Sequence, residues 1–451
     1  MLSGSKYINE VSFSSLINWS VQYLNETKIS FNSSYPMVKI GSFLTRNKTS
    51  VTIEDDVTYK RVTIKVRNGG VIQRDTEIGD NIGTKKQYKV SEGQFILSKI
   101  DARNGAMGLI PAELEGAIVT QDFLPYDIDL SKINPQYLVL VSTTKEFVAF
   151  CQTCSSGTTN RQRVDEVKFL DIKIPLPTID EQNELVAEYN KLMTLATEQE
   201  EQATAKENEI EEYIFDKLRI VANKQSKVKG LQTISFLDID SWSVEHLLKQ
   251  NTNPILKSTI YNNVKLSSVL SVNPTTNLKN LADTDEMSFI PMECVSDIYG
   301  EVKELRKGNK LNSKGYTKFQ DGDLIWARIT PCMQNGKSAI VNGLLNGVGY
   351  GSTEYHILRN TDNKVNIKYV YYLLRLKSVL ADAMSHFTGS AGQQRVPKTF
   401  LEDLKIPLPS HEIQNEIATH ISDLKEEIKT LRINAEDNRK MALINFEERI
   451  F

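Results

Sequence analysis

Near the C-terminus apolar side chains recur with helical spacing. Ile417, Ile421, Leu424, Ile428, Leu431 and Ala435 step alternately by four and three residues, the seam of a helix that packs along another. A weaker seam in the same register runs through Leu185, Tyr189, Leu192, Ala196, Gln199 and Ala203. Both lie in polar stretches without glycine or proline, from Thr178 to Asn223 and from Ser410 onward. Each follows a Pro-Leu-Pro, whose prolines lack an N–H donor and stop the preceding element. At 1.5 Å per residue, about 40 helical residues make a rod of roughly 60 Å. The texture upstream differs. Runs such as Tyr59–Val66, Gln94–Ile100 and Asp323–Ile329 predict strands, separated by Gly and Asn turn signals and a few short helical patterns.

These textures occur twice because the chain repeats itself. Asp171-Ile172-Lys173-Ile174-Pro175-Leu176-Pro177 returns as Asp403-Leu404-Lys405-Ile406-Pro407-Leu408-Pro409, an offset of 232. The same offset carries Gly157 onto Gly389, Gln162-Arg163-Val164 onto Gln394-Arg395-Val396, and Gln182-Asn183-Glu184 onto Gln414-Asn415-Glu416. Gly93–Ile100 meets Gly322–Ile329 at 229. Ser12-Phe13 and Trp19-Ser20-Val21 meet Ser235-Phe236 and Trp242-Ser243-Val244 at 223. The units span about 11–221 and 234–451. Each long helix can pack on its own globular neighbour, or the two can pack on each other. Internal pseudo-symmetry favours an antiparallel pair acting as a spacer between two heads.

Composition alone argues for none of this. The 451 residues carry a formal charge of −3, with 54 basic and 57 acidic side chains. That near-neutrality lacks the basic footprint usual in a nucleic-acid binder. No run reaches the ~18 apolar residues of a membrane span, and Met1–Lys6 has no apolar signal core. Four cysteines make no disulfide framework, so a cytoplasmic location is expected. Divided by the repeat, the average separates into unlike parts. Residues 57–103 hold ten basic side chains against five acidic, and 303–341 hold eight against three. Residues 198–212 of the first helix hold seven Glu and one Lys. The heads are basic and the rod acidic.

Basic side chains at corresponding places in both units make DNA grooves the expected partner, with Lys and Arg neutralising phosphates and Arg, Gln and Asn reading base edges. The candidates are Lys60, Arg61, Lys65, Lys85, Lys86, Lys99 and Arg103, with Arg306, Lys307, Arg328 and Lys337 in the second copy. A loop of small polar residues, 155–163, ends in Arg161 and Arg163. Its counterpart, 388–395, ends in Gln393, Gln394 and Arg395. Solvated surface strands and a simple connector are the bland alternatives.

Catalytic motifs fail. Asn335-Gly336-Lys337-Ser338 ends like a phosphate-binding loop, but Pro331 occupies the first glycine's place. His411-Glu412 opens a zinc-protease pattern that Asn415 breaks. Asn134-Pro135-Gln136-Tyr137 resembles a methyltransferase tetrapeptide, yet its copy is Asn366-Ile367-Lys368-Tyr369, so a helix start is the simpler role. Cys151 and Cys154 form one CxxC, short of the four ligands zinc needs. Glu166-Val167-Lys168 and Glu301-Val302-Lys303 are nuclease-like triplets that do not align. No catalytic, cofactor or metal residue is therefore assigned.

Two variable domains, each closed by Ile-Pro-Leu-Pro, Gln-Asn-Glu and a long helix, resemble the specificity subunit of a type I restriction–modification system. The resemblance covers essentially the whole chain. It rests on Asp171–Glu184, Asp403–Glu416, the paired Trp19 and Trp242, and the loops at Gly157-Thr158-Thr159 and Gly389-Ser390-Ala391. Ile413 departs from the pattern where the first copy has Glu181. It implies an α/β (α+β) chain with two tandem mixed target-recognition domains at 1–175 and 226–407. These are separated by helices at 176–225 and 408–451 forming an antiparallel coiled coil with a pseudo-twofold repeat. It further implies a non-catalytic subunit that reads a bipartite double-stranded DNA target, one domain per half-site. Half-sites one turn apart lie about 34–36 Å from each other, within reach of such a rod. Partners would be two methyltransferase subunits holding S-adenosylmethionine and motor-nuclease subunits using ATP and magnesium, with no cofactor in this chain and no membrane. A methylation-only bipartite system, a coiled-coil scaffold and a cryptic nuclease or methyltransferase are the alternatives.

Overall fold

The computed structural model describes Phe31 and residues 33–156, 162–221, 233, 255–389 and 392–451. Trp19, Trp242, Arg161, Gly157–Thr159, Ser390 and Ala391 lie outside them. The chain divides into two compact units, Met1–Thr197 with Glu436–Phe451, and Glu198–Ala435. The division therefore runs through both long helices instead of falling at their ends.

The expected strand runs appear as Thr58–Ile64, Phe95–Ser98 and Leu324–Ala327. In the first unit Phe95–Ser98 lies inside a four-stranded sheet, flanked by Phe123–Ile128 and Met107–Leu109, with Leu44–Arg46 at the edge. In the second unit Leu324–Ala327 holds the same place between Tyr355–Arg359 and Ser338–Ile340, with Ser271–Val272 at the edge. All four residues of each central strand are buried, because both faces are covered. Beside it each unit has a second mixed sheet. The first unit's has five strands and includes the Thr58–Ile64/Val71–Ile78 hairpin. The second unit's has four and includes Glu286–Ile290 and Arg306–Asn309. The duplication is closest in the first sheet and loosest in the second.

The repeated motif is explained by what it holds. Lys173–Pro175 pairs antiparallel with Met37–Lys39, and Lys405–Pro407 with Asn263–Lys265 in identical register. Ile174 and Ile406 are fully buried. Asp171 and Asp403 lie two residues before these strands, at the ends of short helices, and take Lys39 and Lys265, each at 2.6 Å. Asn134 and Asn366 cap short helices, accepting from the N–H groups two and three residues on, the standard use of Asn at a helix start. Tyr137 and Tyr369, inside those helices, donate to the carbonyls of Pro175 and Pro407 at 2.8 and 2.9 Å.

The two long helices span Ile179–Lys217 and His411–Ile450. Thr178 and Glu181 cap the first reciprocally: Glu181 Oε2 accepts the Thr178 N–H and hydroxyl at 2.9 and 2.8 Å, and the Glu181 N–H donates to Thr178 Oγ1 at 3.4 Å. Ile413 leaves the second helix with only the Ser410 half of this box. The first helix stops before the expected Asn223. Arg219 turns left-handed at φ +48° and the Ile220 N–H donates back to the Phe215 carbonyl at 2.8 Å, a Schellman ending without glycine.

Within each unit the two helix segments run antiparallel. In the second unit Lys217 meets Glu416 at 2.6 Å, Lys206 meets Glu427 at 2.7 Å, and Arg432 meets Glu207 at 2.9 Å. Ile417, Ile421, Leu424 and Ile428 are buried and Leu431 is half-buried. Ile214 and Leu218 complete that unit's core. In the first unit Arg449 meets Glu188 at 2.6 Å, and Leu185 and Ala196 are buried, with Tyr189 and Leu192 half-buried. Phe446 and Ile450, from the chain's last turns, belong to that unit's core. Each head is thus completed by the far end of the other copy's helix.

Candidate nucleic-acid interface

The C-terminal end of each central strand is where the candidate residues converge. In the first unit the Lys99 N–H donates to the Asp122 carbonyl at 2.7 Å, and the Val164 N–H donates to the Lys99 carbonyl at 2.9 Å. Arg163 then reaches the Asp122 carboxylate, Nε to Oδ1 at 3.0 Å. Arg103 Nη1 donates to Gln162 Oε1 at 2.8 Å, while its Nε is buried without a partner. Lys99, Arg103, Gln162 and Arg163 thereby flank the base of the 155–163 loop.

The second unit repeats the arrangement. The Arg328 N–H donates to the Glu354 carbonyl and the Val396 N–H to the Arg328 carbonyl, both at 2.9 Å. Arg395 clasps the Glu354 carboxylate with Nε at 2.9 and 3.0 Å and Nη2 at 2.7 Å, and Arg328 Nε adds a contact at 3.3 Å. Hydrogen bonds from Arg395, reinforced by both guanidinium charges, hold the Glu354 carboxyl below its ordinary value despite partial burial. Thr388 and Arg395 exchange two backbone hydrogen bonds at 2.9 Å, closing a loop that turns at Gly389 and Gly392, both at positive φ. Gln393 is exposed on it and Gln394 half-buried. Behind the loop His356 is buried between Asn273 and the Val396 carbonyl. Burial keeps its pKa low, so the neutral ring donates from Nε2 to Val396 and accepts at Nδ1 from the Asn273 amide.

Asp122 and Glu354, the anchors of both loops, were not among the candidates. Yet they stand 232 apart, as do Arg163 and Arg395. A carboxylate and an arginine conserving one offset across a duplication was the available signal.

The other candidates sit on or beside the second sheets, apart from Lys337, which precedes the first-sheet strand Ser338–Ile340, and many are already occupied. Arg61 grips Asp75 on the neighbouring strand at 2.6 and 2.8 Å. Lys85 holds Asp55 at 2.6 Å, Arg306 holds Glu293 at 2.9 Å, and Lys307 is 3.5 Å from Glu286. Lys60 and Lys337 donate to the carbonyls of Glu113 and Met292. Lys65 and Lys86 are exposed and Lys99 half-buried, with no side-chain hydrogen bond or ion pair among the described residues. The count of basic residues therefore overstates the free positive charge, although exposed ion pairs of this kind are worth only about 0–1 kcal/mol. Cys151 and Cys154 are buried free thiols, with burial pushing both pKa values up. Among the described residues no helix is long and apolar enough to cross a membrane.

Two copies of one α+β head, each passing its chain into a long helix and each presenting an arginine-anchored loop, define a duplicated two-headed class of protein. The chain belongs to the family of type I restriction modification DNA specificity domains, whose family model matches residues 23–212 and 259–436. Over 163 residues it is 38% identical to the type I restriction enzyme EcoEI specificity subunit of Escherichia coli, covering 36% of this chain and 27% of that protein. Over 160 residues it is 39% identical to the EcoAI specificity subunit of the same organism, covering 35% and 27%. The matches thus span about a quarter of these curated relatives. A solved chain from work on complex assembly and conformational transition of the type I R-M system aligns over 92% of this chain and 96% of its own, with TM-score 0.54 and 14% identity. That likeness is one of fold.

Proposed function

We propose that this chain is the non-catalytic subunit that selects DNA for a type I restriction–modification complex, each head reading one half of a bipartite double-stranded target. The observation that carries the reading is the duplicated loop anchor, Lys99, Asp122 and Arg163 in one unit and Arg328, Glu354 and Arg395 in the other. Two like heads suit two separate half-sites, and sequence differences between their loops suit an asymmetric target. The long helices would set the distance between half-sites and dock two methyltransferase subunits, with motor-nuclease subunits joining for cleavage in the cytoplasm. S-adenosylmethionine, ATP and magnesium would belong to those partners and none to this chain.

Replacing residues 1–165 by the first domain of another family member and sequencing the host methylome tests this reading. One half of the methylated motif should change while the other stays. Inserting about one heptad between Thr178 and Lys217 should instead change the spacer. Loss of both halves on the swap, or altered bases with unchanged spacing on the insertion, would overturn it.

A further inference from the structure

A cavity of about 350 Å³ opens within the second unit, between the second long helix, the first helix near Glu207 and the 298–302 loop. That size lies within the range of small-molecule sites, about 300–1,000 Å³. Three cations line up on one face of the second helix, at Lys425, Lys429 and Arg432. Lys429 holds Glu301 at 2.9 and 3.1 Å, and Arg432 holds Glu207 at 2.9 and 3.0 Å and Glu200 at 3.4 Å. Lys425 has no hydrogen bond or ion pair among the described residues. Arg375, whose charge also acts on Lys425, meets no carboxylate among the described residues. Its guanidinium donates to the carbonyls of Gly336, Asp297 and Ile298 and to the Ser338 hydroxyl. Of the remaining charges lining the cavity, Lys368 and Glu426 are both exposed. Lys425 is thus a largely enclosed ammonium on the cavity wall whose two nearest carboxylates, Glu207 and Glu301, are engaged by Arg432 and Lys429.

Its walls suit an organic body. Tyr371 and Tyr372 pack at 5.0 Å, and the Tyr371 hydroxyl donates to the Gly300 carbonyl at 2.7 Å. Gly300, at φ +69°, is required there, since a Cβ would stand 2.1 Å from that hydroxyl. The first copy carries Met193, Thr197 and Glu200 at the positions 232 earlier than Lys425, Lys429 and Arg432. Helix pairing thus does not itself demand three cations.

We propose that this cavity is a binding pocket for a small organic oxyanion, a phosphate monoester or a carboxylate, seated on Lys425. An enclosed ammonium is costly without a partner, and an oxyanion supplies charge-assisted hydrogen bonds in its place. Enclosure, with Arg375 and Arg432 acting the same way against Glu207 and Glu301, pushes the Lys425 amine down to about 7. Above that pH, binding must bring a proton with it, so affinity falls by up to about tenfold per pH unit.

Calorimetry on the full chain at pH 8, in two buffers of different ionisation heat, tests the pocket with inorganic phosphate, adenosine monophosphate and citrate. At least one probe should bind saturably at one site with uptake approaching one proton. Preference for the nucleotide identifies a phosphate monoester, and preference for citrate a carboxylate. Lys425→Met, which installs the first copy's residue, should weaken binding at least tenfold, while Lys425→Arg should bind without proton uptake. No saturable binding by any probe, equal binding by Lys425→Met, or a flat affinity between pH 7 and 8 in the unaltered protein would each overturn the proposal.

Discussion

The side-chain oxygen of Gln182 accepts the backbone N–H of Asn134 at 2.8 Å, while its amide donates to the Pro177 carbonyl at 2.9 Å. Gln414 repeats this on Asn366 and Pro409 at 2.7 and 2.9 Å, and Asn183 and Asn415 each accept from the capping asparagine's amide. The motif by which the duplication is most easily recognised is therefore a joint. It fastens the start of a long helix to the head beside it.

Because Gln182 and Gln414 are fully buried, replacing either by Ala strands buried backbone groups, a loss of about 1–3 kcal/mol. Urea unfolding should show that loss for each variant. A change within a few tenths of a kcal/mol would mean that water replaces the amide and that the joint is not needed.

Phe446 lies near the chain's end yet packs on Tyr137, with ring centroids 5.7 Å apart. Phe446→Ala should cost about 3–5 kcal/mol and lower hydrogen-exchange protection chiefly among the first unit's strands. Ile214→Ala should act in the same way on the second unit. Equal loss of protection in both units from either variant would contradict the division of cores described above.

Lys65 and Lys86 meet no carboxylate among the described residues, whereas Arg61 is gripped by Asp75, whose carboxyl is held below its ordinary value by that hydrogen bond. For the assembled complex, Lys65→Gln and Lys86→Gln should each reduce the salt slope of DNA binding by about 1. Arg61→Gln should reduce it less. Slopes unchanged in both lysine variants would remove those residues from the phosphate contacts.

Lys425 also links stability to pH. Its folded value, about 7, lies below the ordinary 10.5, so between those values the unfolded chain holds a proton that the folded chain lacks. Stability from this group therefore rises with pH across that window, and its cost is greatest below pH 7. Lys425→Met should raise the melting temperature at pH 6.5, with a smaller gain at pH 9.5. A gain that is larger at the higher pH would reverse the sign.

By itself the sequence determined the duplication, the two long helices and the strands at Thr58–Ile64, Phe95–Ser98 and Leu324–Ala327. Periodicity and repetition are properties of order along the chain, and these features need nothing else. The end of the first helix was not legible, because Arg219 adopts the left-handed turn without a glycine to announce it. Which basic residues are free was also decided in three dimensions. Arg61 finds Asp75 only because their strands pair, and Arg395 finds Glu354 only because the loop folds back over a strand end. Phe446 enters the first core and Lys425 is enclosed in the second unit for the same reason. Burial and charge compensation depend on neighbours distant in sequence, and only the tertiary structure brings those neighbours together.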